Sequence, residues 1–443
     1  MVHTTKPPAR QQCAIRRNPG PSGPGGGQKH AVPLDALPSR SSRRCLRSSS
    51  RLDALWELSG QRWGPLWSWR ALVEQLAGTG WRLPNWCDLS ISRSDAIASL
   101  WARRRTVSWP IRLRILAAVY HWKVLTTQQV ASIVGTQNIR GDLKVLWQAG
   151  LLRRGELQSQ VLGAVPPSTQ IWKVDWDAPV KELLSQLTPW ERYGLLAGTN
   201  WKPYQTNWSH DLLVADTTLR VAELVPAIAA VYGEEMASAD RLTDLPPSVT
   251  KKARGDAVWV RDDGLRIVAE LSISAYPASL AKAERWARVL EADQHRDLFV
   301  LFLVAAPPGQ RASFASWSLG AYRRAVAEAA WSSLSAVQAC VPERMGVAAL
   351  SNWFPATGKV SPDFPRLPVW RPTGPPKDRF EPANLADGFD VAFDSGFAGE
   401  GALAPIIWAP LAYAMPWWLA EEAVPFARQH LPDAWKVGLL RHG

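Results

Sequence analysis

LTTQQVASIVGTQNIRGDLKVLWQAGLLRR, residues 125–154, decides how the chain folds. Thr126 stands where its hydroxyl can accept from the first N–H groups of a helix, and Gln129, three residues on, can reach back to complete a capping box. The spacing predicts a helix over Thr127–Val134. Gly135 supplies a position tolerant of positive φ for a short turn, and Thr136 is placed to cap the next helix. That helix, predicted over Gln137–Ala149, would bury Ile139, Leu143 and Leu146. Its other face shows Gln137, Asn138, Arg140 and Lys144, side chains able to reach base edges or phosphates.

Upstream, Ile111, Ile115, Val119 and Trp122 recur at three- and four-residue spacings, the stripe of a helix with one buried face. Downstream, Gly150 stops the third helix and Leu151-Leu152-Arg153-Arg154 opens a strand, which returns at Thr169–Val174 after a loop with Gly163 and Pro166-Pro167. Three helices and a hairpin in this order read as a winged helix-turn-helix domain, residues 107–178. Arg153 and Arg154 then sit at the base of the wing, where cations meet phosphate. The partner this predicts is double-stranded DNA.

Composition agrees with an anionic partner. The 443 residues hold 51 Lys and Arg against 39 Asp and Glu, a formal charge of +12, which favours polyanions. Residues 1–51 carry ten Lys or Arg against the single acid Asp35, among clustered Gly, Pro and Ser. That composition predicts a disordered basic arm. No apolar run follows the early charges, so a secretory leader is not expected. Cys13, Cys45, Cys87 and Cys340 are too scattered for a zinc ribbon or a CxxC pair and fit a reducing cytoplasm. Gly401–Ala420 lacks any charge and has the length of a membrane span, but Pro405, Pro410 and Pro416 interrupt it, which favours a buried or partner-facing segment.

The rest divides into a helical lead-in at 52–106, a linker helix at 179–206, an α/β domain at 207–310, and a helical and Pro-rich C-terminal region at 311–443. The lead-in ends in Arg103-Arg104-Arg105, which extend the phosphate contacts or simply complement their own helix dipole. In the α/β domain the pattern predicts a helix at His210–Val221, a strand at Asp256–Val260, a hairpin turn at Arg261–Gly264 and a second strand at Leu265–Ser274. A helix at Ala278–Ala292 and a fully apolar strand at Leu298–Val304 follow. The expected fold class is α+β: a winged helix, then an α/β sandwich with a mixed sheet, a disordered N-terminus and an irregular C-terminal region.

Asp256 begins one strand and Glu270 lies in the next across the hairpin, so their carboxylates are expected to converge at a sheet edge. Such a pair can hold Mg²⁺ or Mn²⁺ and activate water on a phosphodiester. The order of elements and the acidic pair resemble the PD-(D/E)xK nuclease fold. In that pattern a Lys follows two residues after the Glu, and here the position is Ser272. Lys282 on the next helix is the candidate for a displaced ammonium, with His210 or Glu235 completing the site. The missing Lys favours a non-catalytic second domain with no cofactor. Mg²⁺ or Mn²⁺ enters only in the alternative, a nuclease with Asp256, Glu270 and Lys282 as catalytic residues and the two carboxylates as metal ligands.

LTTQQVASIVG, NIRGDLKVLWQAGLLRR, SHDLLVAD, RGDAVWV and IVAELSIS, taken together over about Ile111–Val304, resemble the replication-relaxation family of plasmids and integrative elements. That resemblance implies a winged helix followed by a nuclease-like α/β domain, and a role in replication, mobilisation or DNA relaxation beside other proteins of those processes. A winged-helix transcriptional regulator, whose second domain only binds a partner, is the third reading.

Overall fold

The computed structural model describes residues 31–40 and 63–439, except 69, 81–88, 105, 107, 160–169, 176–177, 202–206, 273–277, 306–311, 357, 375–378, 392 and 394–398. Strand β1 is Val32–Pro33, followed by β2 at Trp63–Ser68 and helices α1 at Arg70–Gly78 and α2 at Arg93–Ala102. The decisive stretch then gives α3 at Ser108–His121, β3 at Leu125–Thr126, α4 at Thr127–Val134 and α5 at Arg140–Gln148. A hairpin of β4, Leu152–Ser159, and β5, Gln170–Val174, follows, and then α6 at Ala178–Gln186 and α7 at Pro189–Leu196.

The capping box forms as the sequence requires: Thr126 Oγ1 accepts from the Gln129 N–H, and Gln129 Oε1 accepts from the Thr126 N–H. Gly135 closes α4 with φ of 83°. The next helix starts three residues later than predicted, at Arg140, because buried Ile139 takes the cap position with no side-chain cap. Thr136 therefore does not cap it. Helix α3 is not striped: every residue from Leu113 to Trp122 except Arg114 is buried, because the helix packs against α4 and α5 on one side and α7 on another. The hairpin also belongs to a larger sheet, in the order β2-β4-β5-β3. β2 is a strand where the composition of 52–88 predicted short helices.

The second unit is built on α8 at Trp208–Leu224, then β6 at Ile228–Gly233, β7 at Ala257–Arg261, β8 at Arg266–Ser272, α9 at Ala278–Ala292 and β9 at Leu298–Val304. Helix α9 and strand β9 match their predicted limits. The chain continues as α10 at Ala312–Ala330, β10 at Met345–Ala349, β11 at Lys359–Val360, β12 at Pro368–Gly374, β13 at Arg379–Asn384 and α11 at Trp417–His430. The sheet has the order β13-β12-β10-β9-β8-β7-β6, with β8, β9 and β10 parallel and the flanking pairs antiparallel. Helix α8 covers one face, where Trp259 Nε1 donates to Thr218 Oγ1 at 3.2 Å, and α9 and α10 cover the other.

Two expectations are corrected here. The C-terminal region is not irregular: it adds β10, β12 and β13 to the sheet. Pro368, Pro372 and Pro382 concealed the outer hairpin, and they are tolerated because it lies at the sheet edge, where a missing N–H leaves fewer ladder bonds unmade. Nor is all of 1–51 a loose arm. β1 pairs with β11, the Arg40 N–H donates to Glu223 O at 3.0 Å, and the Arg40 guanidinium pairs with Glu422. The remainder of that arm lies outside the described residues.

The charge-free stretch near the C-terminus fills the junction between the two units. Leu411, Ala412, Tyr413, Ala414, Met415 and Leu419 are buried. Trp122 Nε1 of α3 donates to Ala414 O at 3.3 Å, while Trp418 Nε1 donates to Ala222 O of α8 at 3.1 Å. Met415 Sδ accepts the Val231 N–H on the outer strand β6, so this segment also blocks a sheet edge. Among the described residues no helix is long and apolar enough to cross a membrane.

Gly135 tests this junction. A Cβ there would meet Trp417 Cγ at 2.8 Å, on a backbone of φ +83°. Gly135→Ala is expected to destabilise by about 1 kcal/mol or more. Gly141→Ala, on the exposed side of α5 with nothing within 4 Å, should stabilise by roughly 0.5–1 kcal/mol. Thermal midpoints of the two variants check this; a neutral Gly135→Ala would contradict the packing of α11 against the α4–α5 turn.

Candidate functional site

The polar side chains predicted to face outward on the third helix do so. Gln137, Asn138, Arg140 and Lys144 are exposed, while Ile139, Leu143 and Leu146 are buried behind them. Arg140 and Lys144 are four residues apart and share a face of α5. The helix is held at its first turn by Asp142, whose Oδ1 accepts from Arg112 Nε of α3 at 2.7 Å.

Other predicted contacts are engaged inside the molecule. Arg154 is buried and bonds Glu156 at 2.6 Å, and Arg153 pairs with buried Asp175 at 2.8 Å. Their position on β4, paired to β2 on one side and β5 on the other, makes them part of the sheet's charge balance instead of an open phosphate clamp. Arg104 behaves likewise: it bonds Glu191 at 2.6 Å and lies over the rings of Trp101 and Trp109. Arg103 is exposed, and Arg105 and the wing loop lie outside the described residues.

The second cluster forms where β7 and β8 meet. Ala257 opposes Ala269, and Asp256, just before β7, donates its N–H to Ala269 O at 2.8 Å, which brings it beside the Glu270 end of β8. Glu270 is buried on all sides. Its Oε2 accepts from Lys282 Nζ at 2.6 Å and its Oε1 from Trp286 Nε1 at 2.9 Å, both side chains descending from α9. Asp256 Oδ2 accepts from the Leu271 N–H at 2.7 Å and lies 3.4 Å from His210 Nε2, in the first turn of α8. The sequence therefore identified four residues that do converge: Asp256, Glu270, Lys282 and His210. Glu235 does not join them and pairs with Arg254.

Ser272, where the nuclease pattern has Lys, accepts a hydrogen bond from Tyr322 of α10. Nothing in the sequence marks Tyr322 for this cluster; only the packing of α10 over β9, with Tyr322 against Phe302, brings it there.

The electrostatics follow from burying two like charges side by side. Burial and the facing Asp256 charge push the Glu270 carboxyl up to about 7, against the pull of Lys282 and Trp286. Burial alone would raise Asp256 too, but His210, Lys282 and the Leu271 N–H hold it below its ordinary value. Burial disfavours charge on His210 and on Lys282, yet Asp211 and then Asp256 outweigh it at His210, lifting it to about 10, and Glu270 and Asp256 lift Lys282 above its ordinary value. Two cations thus answer three acids, Asp211, Asp256 and Glu270.

No family model, no curated protein and no solved structure matches the chain. The resemblance to the replication-relaxation family accordingly rests on the quoted residues.

The His210 charge gives a pH test. Its folded pKa lies above its unfolded value, so the stabilisation is complete below about pH 6.5 and is lost as pH rises through about 10. The gap in urea midpoint between the wild type and His210→Asn should shrink over that window. A gap that stays constant or widens would contradict the pairing of His210 with Asp211 and Asp256.

Proposed function

We propose that the chain is a cytoplasmic DNA-binding protein of a plasmid or other mobile element, acting in replication, mobilisation or DNA relaxation. In this reading residues 107–178 are a winged helix-turn-helix domain that places α5 in the major groove of duplex DNA. The α/β unit is a PD-(D/E)xK-like fold that does not cleave. One observation carries the first part: Gln137, Asn138, Arg140 and Lys144 stand exposed at the start of α5 while its other side is locked onto α3. Recognition helices read base edges with their N-terminal residues, and Asn and Arg offer the bidentate donors that distinguish adenine and guanine.

The nuclease alternative has support in the convergence of Asp256, Glu270, Lys282 and His210. The residues do not fit a resident Mg²⁺ or Mn²⁺, however. Both Glu270 oxygens already accept from Lys282 and Trp286, and Asp256 Oδ2 accepts from the Leu271 N–H beside His210. A hard cation asks for several oxygens turned to one point. The arrangement favours a charge-compensated relic of a nuclease core over a working one.

The test of the reading face is selection from a randomised duplex pool with the purified full chain. The wild type should enrich a defined motif. Arg140→Ala should relax one position of it at a cost of about 1–3 kcal/mol. Equal weakening on every sequence would move Arg140 to the phosphate backbone, and no enrichment by the wild type would overturn sequence reading by α5.

A further inference from the structure

Over the outer hairpin of the large sheet lies a cation with no acidic partner among the described residues. Arg323, on α10 next to Tyr322, lays its guanidinium over the ring of Trp370 at 4.5 Å and of Phe380 at 5.3 Å. Its Nε is buried without a hydrogen-bond partner. Among the described residues no carboxylate pairs with it, and burial lowers its pKa unopposed by any acid. Other partly buried arginines of this molecule, such as Arg104, Arg112 and Arg153, have an acid within 2.8 Å. Arg323, Trp370 and Phe380 are all half-buried, so each retains a solvent-facing part.

The position of this stack is informative. Glu270 pairs with Phe302, Phe302 with Val347, and Val347 with Trp370. Directly paired residues point to the same face of a sheet, so Glu270 and Trp370 lie in one row, three strand spacings or roughly 14 Å apart. Helices α9 and α10 cover that row: Lys282 and Trp286 meet Glu270, Tyr322 meets Phe302, and Arg323 meets Trp370.

We propose that Arg323, Trp370 and Phe380 form a second nucleic-acid contact, which holds an unpaired DNA strand. Arg323 supplies a charge with no acidic partner among the described residues for a phosphate, while the two rings beneath it hold the guanidinium in place and offer their solvent-facing remainder to a base, the combination of cation and aromatic that single-strand grooves use. Arg371 and Arg379, on the same hairpin, add positive charge, although Glu381 answers Arg371 at 2.8 Å. The contact lies within a few nucleotides' reach of the Asp256–Glu270 pair. It rests on the DNA-binding reading only for the identity of the ligand, since the duplex contact is on α5.

Fluorescence anisotropy of the full chain with a labelled oligodeoxythymidylate, and separately with a labelled duplex, tests the two contacts apart. Arg323→Ala is expected to weaken oligodeoxythymidylate binding by about tenfold or more and to leave duplex binding unchanged. Arg140→Ala should do the reverse. Arg323→Gln, which keeps most of the stacked bulk without the charge, decides the case if Arg323→Ala fails to fold. Unchanged oligodeoxythymidylate affinity in Arg323→Gln, or no binding by a wild type that still binds duplex, would overturn the proposal. Loss of duplex binding alone would instead count against α5.

Discussion

Two carboxylates brought together at a buried sheet constrain everything around them. Asp256, just before β7, lies close enough to Glu270 of β8 for their charges to interact, and an uncompensated pair of charges there would cost several kcal/mol. Compensation comes from helices on opposite faces of the sheet: His210 from the first turn of α8, Lys282 and Trp286 from α9. The docking of both helices is thus tied to the charge of a single hairpin. The same arrangement engages both Glu270 oxygens and Asp256 Oδ2 in bonds within the protein.

The unit of α3, α4, α5 and the β4–β5 hairpin is joined to this sheet by apolar contact more than by charge. The segment around Tyr413 has no ionisable group except the Tyr413 phenol and is buried against α3, α7 and β6. The Tyr413 N–H donates to Gly194 O at 2.9 Å, and a Cβ on Gly194 would meet the Tyr413 ring at 2.5 Å. Around this core, Lys123 pairs with Glu234, and His121 sits fully buried with its ring against Leu195 O at 3.1 Å. Burial pulls the His121 pKa down to about 4, so the junction carries a neutral imidazole near neutral pH. Near α8, Val124 and Ile171 pack on Leu212, two residues from His210. Helix α5 and the acidic row are therefore parts of one packed body.

Much of this was legible in the sequence where local physics decides the outcome. Thr126 and Gln129 specify a capping box by themselves, and the apolar run Leu298–Val304 has few alternatives to a buried strand. Legibility failed where tertiary context intervened. Ile139 displaced the start of α5 because burying it outweighed a helix cap at Thr136. Arg153 and Arg154 read as free cations because their acidic partners, Asp175 and Glu156, carry no pattern that marks them. Pro368, Pro372 and Pro382 hid an edge hairpin whose place in the sheet depends on β10, far away in sequence. Tyr322 and Arg323 showed no sign of their roles, since only helix packing turns one toward Ser272 and the other toward Trp370.

The central claim is that this protein binds DNA through α5 and does not cut it. Incubating the purified chain with supercoiled plasmid, in Mg²⁺, in Mn²⁺ and in EDTA, reads both halves at once. The account predicts salt-sensitive retardation in all three, because phosphate contacts release counterions, with plasmid topology intact throughout. Metal-dependent nicking that disappears in Asp256→Asn would contradict it and make the acidic row a working nuclease centre.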